Sequence, residues 1–166
     1  MRAALGLGAN LGDRHAALDI AVAHIIADHT VGNVIRAGFY ETVPVGGPQQ
    51  PDFLNTVVVV EPRGDETARP WAGLLLELAH SIEDQLLRIR DVRWGPRTID
   101  VDILAVGELV STDPRLTVPH PRLAERAFVL EPWAQIDPDF PVPGLGTVAA
   151  LLAALPEEER AGVVRV

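Results

Sequence analysis

Apolar and polar positions along this chain change period several times, and each change marks an element. Residues 3–8 form a short run of Ala, Leu and Gly that reads as a buried strand. Asp13 is placed to cap a helix over residues 14–28, whose stripe is Leu18, Val22, Ile25 and Ile26. A second strand is expected over 34–41, then a Pro- and Gly-rich loop over 42–52. Residues 53–61 are β-branched enough for a central strand. Thr67 precedes a second helix over 68–87, with Pro70 in its first turn and Trp71, Leu75, Leu78 and Ile82 facing inward. From Thr98 the period is two again, with Ile99, Val101 and Ile103 alternating with Thr98, Asp100 and Asp102. The remainder reads as a short hairpin around Gly107, a loop through Thr117 to Pro121, and helices near 122–135 and 147–154.

The order up to residue 104 is βαββαβ, which predicts an α+β fold with a ferredoxin-like core. Its sheet is mostly antiparallel, and the C-terminal hairpin and helices complete three layers, αβα. No repeat and no linker divides the chain, so residues 1–166 are expected to form a single domain.

Composition narrows the function. The net charge of −9 argues against general nucleic-acid binding, because a phosphate backbone would be repelled. Apolar runs such as Val57 to Val60 are far too short to span a bilayer, and the start of the chain leads straight into a strand, so neither a membrane anchor nor a signal peptide is expected. Cysteine is absent, which removes disulfides and thiolate catalysis and is compatible with the cytoplasm. All of the basic residues are arginine. Without lysine there is no P-loop, no protein-kinase strand lysine and no Schiff base.

The densest chemistry lies in Arg93-Trp94-Gly95-Pro96-Arg97-Thr98-Ile99-Asp100-Val101-Asp102-Ile103-Leu104. Residues two apart on a strand share a face, so the two carboxylates sit roughly 6.5–7 Å apart at Cα. An Asp-x-Asp pair often does no more than line the polar face of a sheet. Here a Trp-Gly-Pro-Arg turn precedes it, and arginines supply forks suited to phosphate oxygens. Oxygen-only ligands suit Mg²⁺, which takes one or two carboxylates and fills its shell with water and phosphate. Arg88, Arg90, Arg93, Arg97, Arg115, Arg122 and Arg126 crowd into one acidic chain's central segment, which points to a local anion pocket. Some of these arginines, Arg122 among them, are expected to pair with nearby acids instead.

Other candidates are weaker. Gly6-x-Gly8 with Gly12 has the wrong spacing for a dinucleotide fingerprint and reads better as glycines easing a turn through Asn10. Phe53 and Asn55, two apart on one strand, would offer a flat heterocycle a slab and a hydrogen-bonding edge; plain core for Phe53 and an edge-strand polar position for Asn55 account for them equally well. His120, between two prolines, could contact phosphate or cap a turn. His24 and His29 are expected at the surface.

With these blocks in view, the chain resembles the 6-hydroxymethyl-7,8-dihydropterin pyrophosphokinases of folate biosynthesis. The likeness rests on Arg93-Trp94-Gly95-Pro96-Arg97 with Asp100-Val101-Asp102-Ile103, on Gly8-x-Asn10-Leu11-Gly12 and on Phe39-Tyr40-x-Thr42. It continues in Gln50-Pro51-Asp52-Phe53-Leu54-Asn55, in Leu116 to Arg122, and in Arg126-x-Phe128, covering about residues 3–137 in order. The resemblance implies transfer of the pyrophosphoryl group of ATP to the pterin hydroxymethyl, leaving AMP, with Asp100 and Asp102 holding two Mg²⁺ ions. Arg88 and Arg97 would neutralise the migrating charge. His80, Glu83, Arg90, Arg93, Trp94, the Ile103 backbone, Arg115, Thr117, His120 and Arg126 would surround ATP. The pterin would stack between Phe53 and Phe128, with Thr42, Val43, Pro44, Val45, Gly46 and Asn55 along its edges and Trp94 closing over it.

The chain departs from relatives at Leu87, where many have Gly, at Phe53, where some have Tyr, and at His80 and Pro121; the span from Arg90 to Arg93 is one residue shorter than in some. The resemblance implies an ordered, ATP-first, cytoplasmic monomer that binds ATP and the pterin, with neither nucleic acid nor membrane as partner. Two other classes share parts of the pattern. A non-catalytic pterin- or nucleotide-binding relic would not need both aspartates with Arg88 and Arg97. A metal-dependent phosphohydrolase would not need Phe53, Asn55 and Phe128.

Overall fold

The long apolar run Val57 to Val60 ends up where such a run can be covered on both sides, in the middle of a six-stranded antiparallel sheet. The computed structural model describes residues 1–44, 49–86 and 98–166. Its sheet takes strands β1 (Ala3–Ala9), β2 (Val31–Arg36), β3 (Tyr40–Thr42), β4 (Phe53–Pro62) and β5 (Asp100–Val106). A two-stranded hairpin follows, β6 (Ser111–Asp113) with β7 (Leu116–Val118), then a smaller pair, β8 (Pro141–Val142) with β9 (Gly146–Thr147). The last strand, β10 (Val163–Arg165), returns to the main sheet, whose order is β10-β3-β4-β1-β5 with β2 also on β4.

Helices α1 (Arg14–Ala27) and α2 (Ala68–Gln85) cover one face. Leu18, Val22 and Ile25 pack there with Trp71, Leu75 and Ile82 onto Leu5, Leu7, Val58 and Ile103. Helices α3 (Ala127–Ile136) and α4 (Val148–Ala154) cover the other through Leu130, Trp133 and Leu152 on Ala4, Val57, Val59 and Leu104. The short α5 (Glu157–Ala161) leads into β10. Three layers around an antiparallel sheet in ferredoxin-like order agree with the sequence reading. Among the described residues, no helix is long and apolar enough to cross a membrane.

Several local expectations need correction. The strand expected over 34–41 is two strands, because the chain leaves the ladder at residues 37–39 and both pieces pair with different halves of β4. Ile26 is exposed, so the stripe of α1 is Leu18, Val22 and Ile25. Asp13 caps α1 as expected, accepting from Ala16 N at 3.0 Å, whereas Thr67 holds the capping position of α2 without a side-chain cap bond. Gly107 makes a left-handed turn at φ 48° after β5, but the hairpin itself is β6–β7. The segment after residue 154, to which the sequence reading assigned no element, contains α5 and β10.

Candidate active site

Sheet register gathers the polar residues of four strands. Gly8 on β1 faces Asn55 of β4 on one side and Asp100 of β5 on the other, and Asn55 in turn faces Tyr40 of β3. Two positions along, Gly6 faces Asp102, and Thr42 faces Phe53. The period of two puts Phe53, Asn55, Gly6, Gly8, Asp100 and Asp102 on the same sheet face as Leu104 and Val57, the face that α3 and α4 cover elsewhere. Neither glycine belongs to a dinucleotide loop. A Cβ on Gly8 would meet Asn55 Oδ1 at 3.0 Å, and one on Gly6 would meet the Leu104 side chain at 3.4 Å. Gly12, at φ 63°, makes the turn that follows.

Over this row opens a cavity of about 770 Å³, within the range of small-molecule sites. Thr42, Val43, Pro44, Phe53 and Asn55 line one side, and Asp100, Asp102, Arg126 and Phe128 the other. Asn55 is buried on a central strand, not at an edge, and its Nδ2 donates to Thr42 Oγ1 at 2.9 Å and to Tyr40 O at 3.4 Å. Those bonds fix which way the amide faces. Phe53 and Phe128 are both half-buried along the cavity wall.

The acidic side is tied to the loops after β7. Arg126 Nη1 donates to Asp102 Oδ2 at 3.2 Å, and its guanidinium lies 5.6 Å from the centre of the Phe128 ring. His120 docks through its own backbone N–H on Leu104 O at 2.8 Å, which brings its Nε2 to 3.9 Å from Asp102 Oδ2. Burial, and then the nearby Arg126 and Arg122, push the His120 imidazole down to about 4 against the opposing pull of Asp100. It is therefore neutral near pH 7. Its Nδ1 accepts from Arg122 N at 3.2 Å, which leaves the proton on Nε2, facing the acids. Arg122 also makes the expected ion pair, with Glu125 at 3.6 Å.

Among the described residues that line the cavity, the charged ones are Asp100, Asp102, Glu125, Glu158 and Glu159 with Arg122 and Arg126. The residues present fit a hard divalent cation. Asp100 and Asp102 offer oxygen donors on one face of β5, open to the cavity, and among the described residues no third His, Cys, Asp or Glu completes a metal-binding group. Two carboxylates with room for water and phosphate is the donor set that Mg²⁺ accepts.

Other predicted residues lie elsewhere. Glu83 is buried under β5, where its Oε1 accepts from Val101 N at 3.0 Å, while His80, three residues earlier, is exposed; the two do not share an environment. The Ile103 side chain packs toward α1 and α2, leaving its backbone on the ladder. Arg115 is exposed on the β6–β7 hairpin and paired with Asp113 at 3.2 Å. Thr117 Oγ1 donates to Asp113 O at 3.0 Å. His24 is half-buried and His29 exposed. The expectations for Val45, Gly46, Leu87, Arg88, Arg90, Arg93, Trp94 and Arg97 lie outside the described residues.

Sequence reasoning gave no role to Asn10, Gln50 or Arg14. Asn10 is buried, and its Nδ2 donates to Gln50 Oε1 at 2.9 Å and to Pro51 O at 3.0 Å. Arg14 Nη1 donates to Asp52 O at 2.9 Å and pairs with Glu41 at 2.7 Å. Together they pin the base of the 42–52 loop to the end of β1 and the start of α1. Asn10 and Gln50 stood inside the resemblance blocks, but only the fold shows that they meet.

Comparison with known proteins gives the family. The profile of the 7,8-dihydro-6-hydroxymethylpterin-pyrophosphokinase (HPPK) family matches residues 4–138. A 2-amino-4-hydroxy-6-hydroxymethyldihydropteridine pyrophosphokinase of Methylorubrum extorquens is 44% identical over 165 residues, 99% of this chain and 98% of its own. The chain belongs to the HPPK family. The HPPK of Bacillus subtilis is 45% identical over 134 residues, 80% of this chain and 75% of its own. Among solved structures, an HPPK-DHPS in complex with substrates superposes with a TM-score of 0.68 at 13% identity. That match takes in 99% of this chain but only 46% of the longer HPPK-DHPS chain, and at such identity it speaks for the fold alone.

Proposed function

We propose that the cavity between β3 and β5 transfers the pyrophosphoryl group of ATP to the hydroxymethyl group of 6-hydroxymethyl-7,8-dihydropterin, giving AMP and the pterin diphosphate in folate biosynthesis. Membership of the HPPK family supports the reaction. The observation that carries it onto this chain is the row Asn55–Gly8–Asp100: a ring-reading amide and a carboxylate two strands apart, about 9–10 Å at Cα, on one face with only a glycine between them. A bicyclic ring with a one-carbon arm fits that span, with the ring over Asn55 and the arm toward the acids.

In this reading Phe53 and Phe128 flank the ring, and Thr42, Val43, Pro44 and Asn55 contact its edges. The hydroxymethyl oxygen attacks the β-phosphorus, the bond from that phosphorus to the α,β-bridging oxygen breaks, and AMP leaves with the electron pair. Asp100 is the carboxylate on hand for the hydroxyl proton. Asp102 holds Arg126 until ligands arrive. Arg126 and the Nε2–H of neutral His120 then bind phosphate oxygens, and the Phe128 ring beside Arg126 limits where that guanidinium can go. Asp100 and Asp102 would hold Mg²⁺, two ions in this reading, which would offset phosphate charge and lower the pKa of the attacking hydroxyl. Further roles are proposed for Arg88 and Arg97 on the migrating group, for His80, Arg90, Arg93, Trp94, Arg115 and Thr117 around ATP, and for Val45, Gly46 and Trp94 near the pterin. A cytoplasmic monomer completes the reading, on the resemblance alone.

The test is to mix the protein with ATP, reduced hydroxymethylpterin and Mg²⁺ and identify products by phosphorus NMR, then repeat with EDTA. AMP appearing in step with a pterin diphosphate, and only with the cation, supports the reading. ADP would make the protein an ordinary kinase, and phosphate released without pterin a hydrolase.

A further inference from the structure

The family match ends at residue 138, but the cavity wall does not: Leu155, Glu158, Glu159 and Val163 also line it. Leu155 ends α4, and the other three belong to the returning segment made of α5 and β10. Strand β10 runs antiparallel to β3, with Val163 opposite Thr42 and Arg165 opposite Tyr40, and Val166 N donates to Phe39 O at 3.0 Å. One turn earlier, Arg160 Nε reaches Glu131 Oε1 on α3 at 3.0 Å, so the segment is fastened at both ends of its path.

Strand β3 is only three residues long. A strand this short gains little order from one neighbour, and with β10 removed it would be a bare sheet edge. Yet β3 carries Thr42, whose hydroxyl takes the Asn55 amide. The position of that amide therefore depends on β3, and β3 on β10. We propose that residues 157–166 form a positioning strap for the ring-binding side of the cavity, setting affinity for the pterin and not for the nucleotide; this rests on the pyrophosphokinase reading above.

Two features confine the effect to one substrate. The sheet order puts four strand steps between β10 and β5, about 19 Å at roughly 4.8 Å per step, so a loosened strap is felt at Thr42 and Asn55 and not at Asp100 and Asp102. Glu158 and Glu159 at the strap end also repel phosphate, which keeps the triphosphate at the Arg126 side.

The experiment uses full-length Arg160→Glu, which sets like charges against each other at Glu131, and its charge-swapped rescue, Arg160→Glu with Glu131→Arg. A second pair is Val164→Pro, which constrains β10 through its backbone at an exposed side chain, against Val164→Thr. Wild-type protein run in parallel must make AMP; if it does not, the pyrophosphokinase reading falls and takes the strap with it. With active wild type, the expected result is a pterin KM raised roughly tenfold in Arg160→Glu and Val164→Pro. The affinity for a non-hydrolysable ATP analogue should stay within about twofold in both variants. The swap should restore the wild-type pterin KM, and Val164→Thr should leave it unchanged. An unchanged pterin KM in both variants, a parallel loss of nucleotide binding, or a swap that fails to rescue would overturn the strap.

Discussion

Arg126 Nη1 donates to Asp102 Oδ2 at 3.2 Å, joining the residue that precedes α3 to the middle of β5. The pair is partly exposed, with Asp102 at 36% and Arg126 at 17% of the side chain, so its contribution to stability is below about 1 kcal/mol. Its consequence is positional. On the proposed function, a cation at Asp102 would compete with Arg126 and turn the guanidinium to phosphate.

Asp102→Asn keeps the shape and removes the charge. Transfer should fall by at least about a hundredfold while melting moves little. Full activity in an AMP-formation assay would remove Asp102 from the proposed metal site.

Arg126→Ala should act on binding. The KM for ATP is expected to rise roughly tenfold with a smaller change in kcat, since Arg126 binds phosphate oxygens in the proposed reading. A fall in kcat at unchanged KM would mean that Arg126 acts only in the transition state.

Asn55→Ala removes the donor to Thr42 inside a buried site, at a stability cost of about 1 kcal/mol. Pterin KM should rise roughly tenfold with ATP affinity unmoved. Gly8→Ala should reproduce a milder version, because the new Cβ would lie 3.0 Å from Asn55 Oδ1 and force the amide aside. Steady-state kinetics with each substrate varied separately would show whether the two variants share this signature.

Glu83→Leu strands the buried Val101 N–H, which should destabilise the protein by about 1–3 kcal/mol in urea unfolding. If stability held and only nucleotide binding suffered, Glu83 would belong to the ATP site and not to the support of β5.

The chain's pattern of positions determined a good deal by itself. Alternation at residues 98–103 placed both aspartates on one face of a strand, because the side-chain period of a strand is two whatever it pairs with. The run Val57 to Val60 marked a central strand because only a sheet covered on both faces hides such a run. The Asp13 cap and the stripes of α1 and α2 were legible for the same local reason, Ile26 excepted, since it lies just outside the buried arc.

Register and return paths were not legible, because they depend on partners distant in sequence. Only the pairing of β1 with both β4 and β5 brings Asn55 and Asp100 to either side of Gly8. The split between β2 and β3 follows from what β4 can hold along its length, and periodicity carries no trace of it. Glu83 was expected beside ATP together with His80, and packing against β5 made it a buried acceptor instead. The strap is the clearest case: residues 163–165 are apolar enough for a strand, but only the exposed edge of β3 gives that strand a place to go, and with it a part in the site.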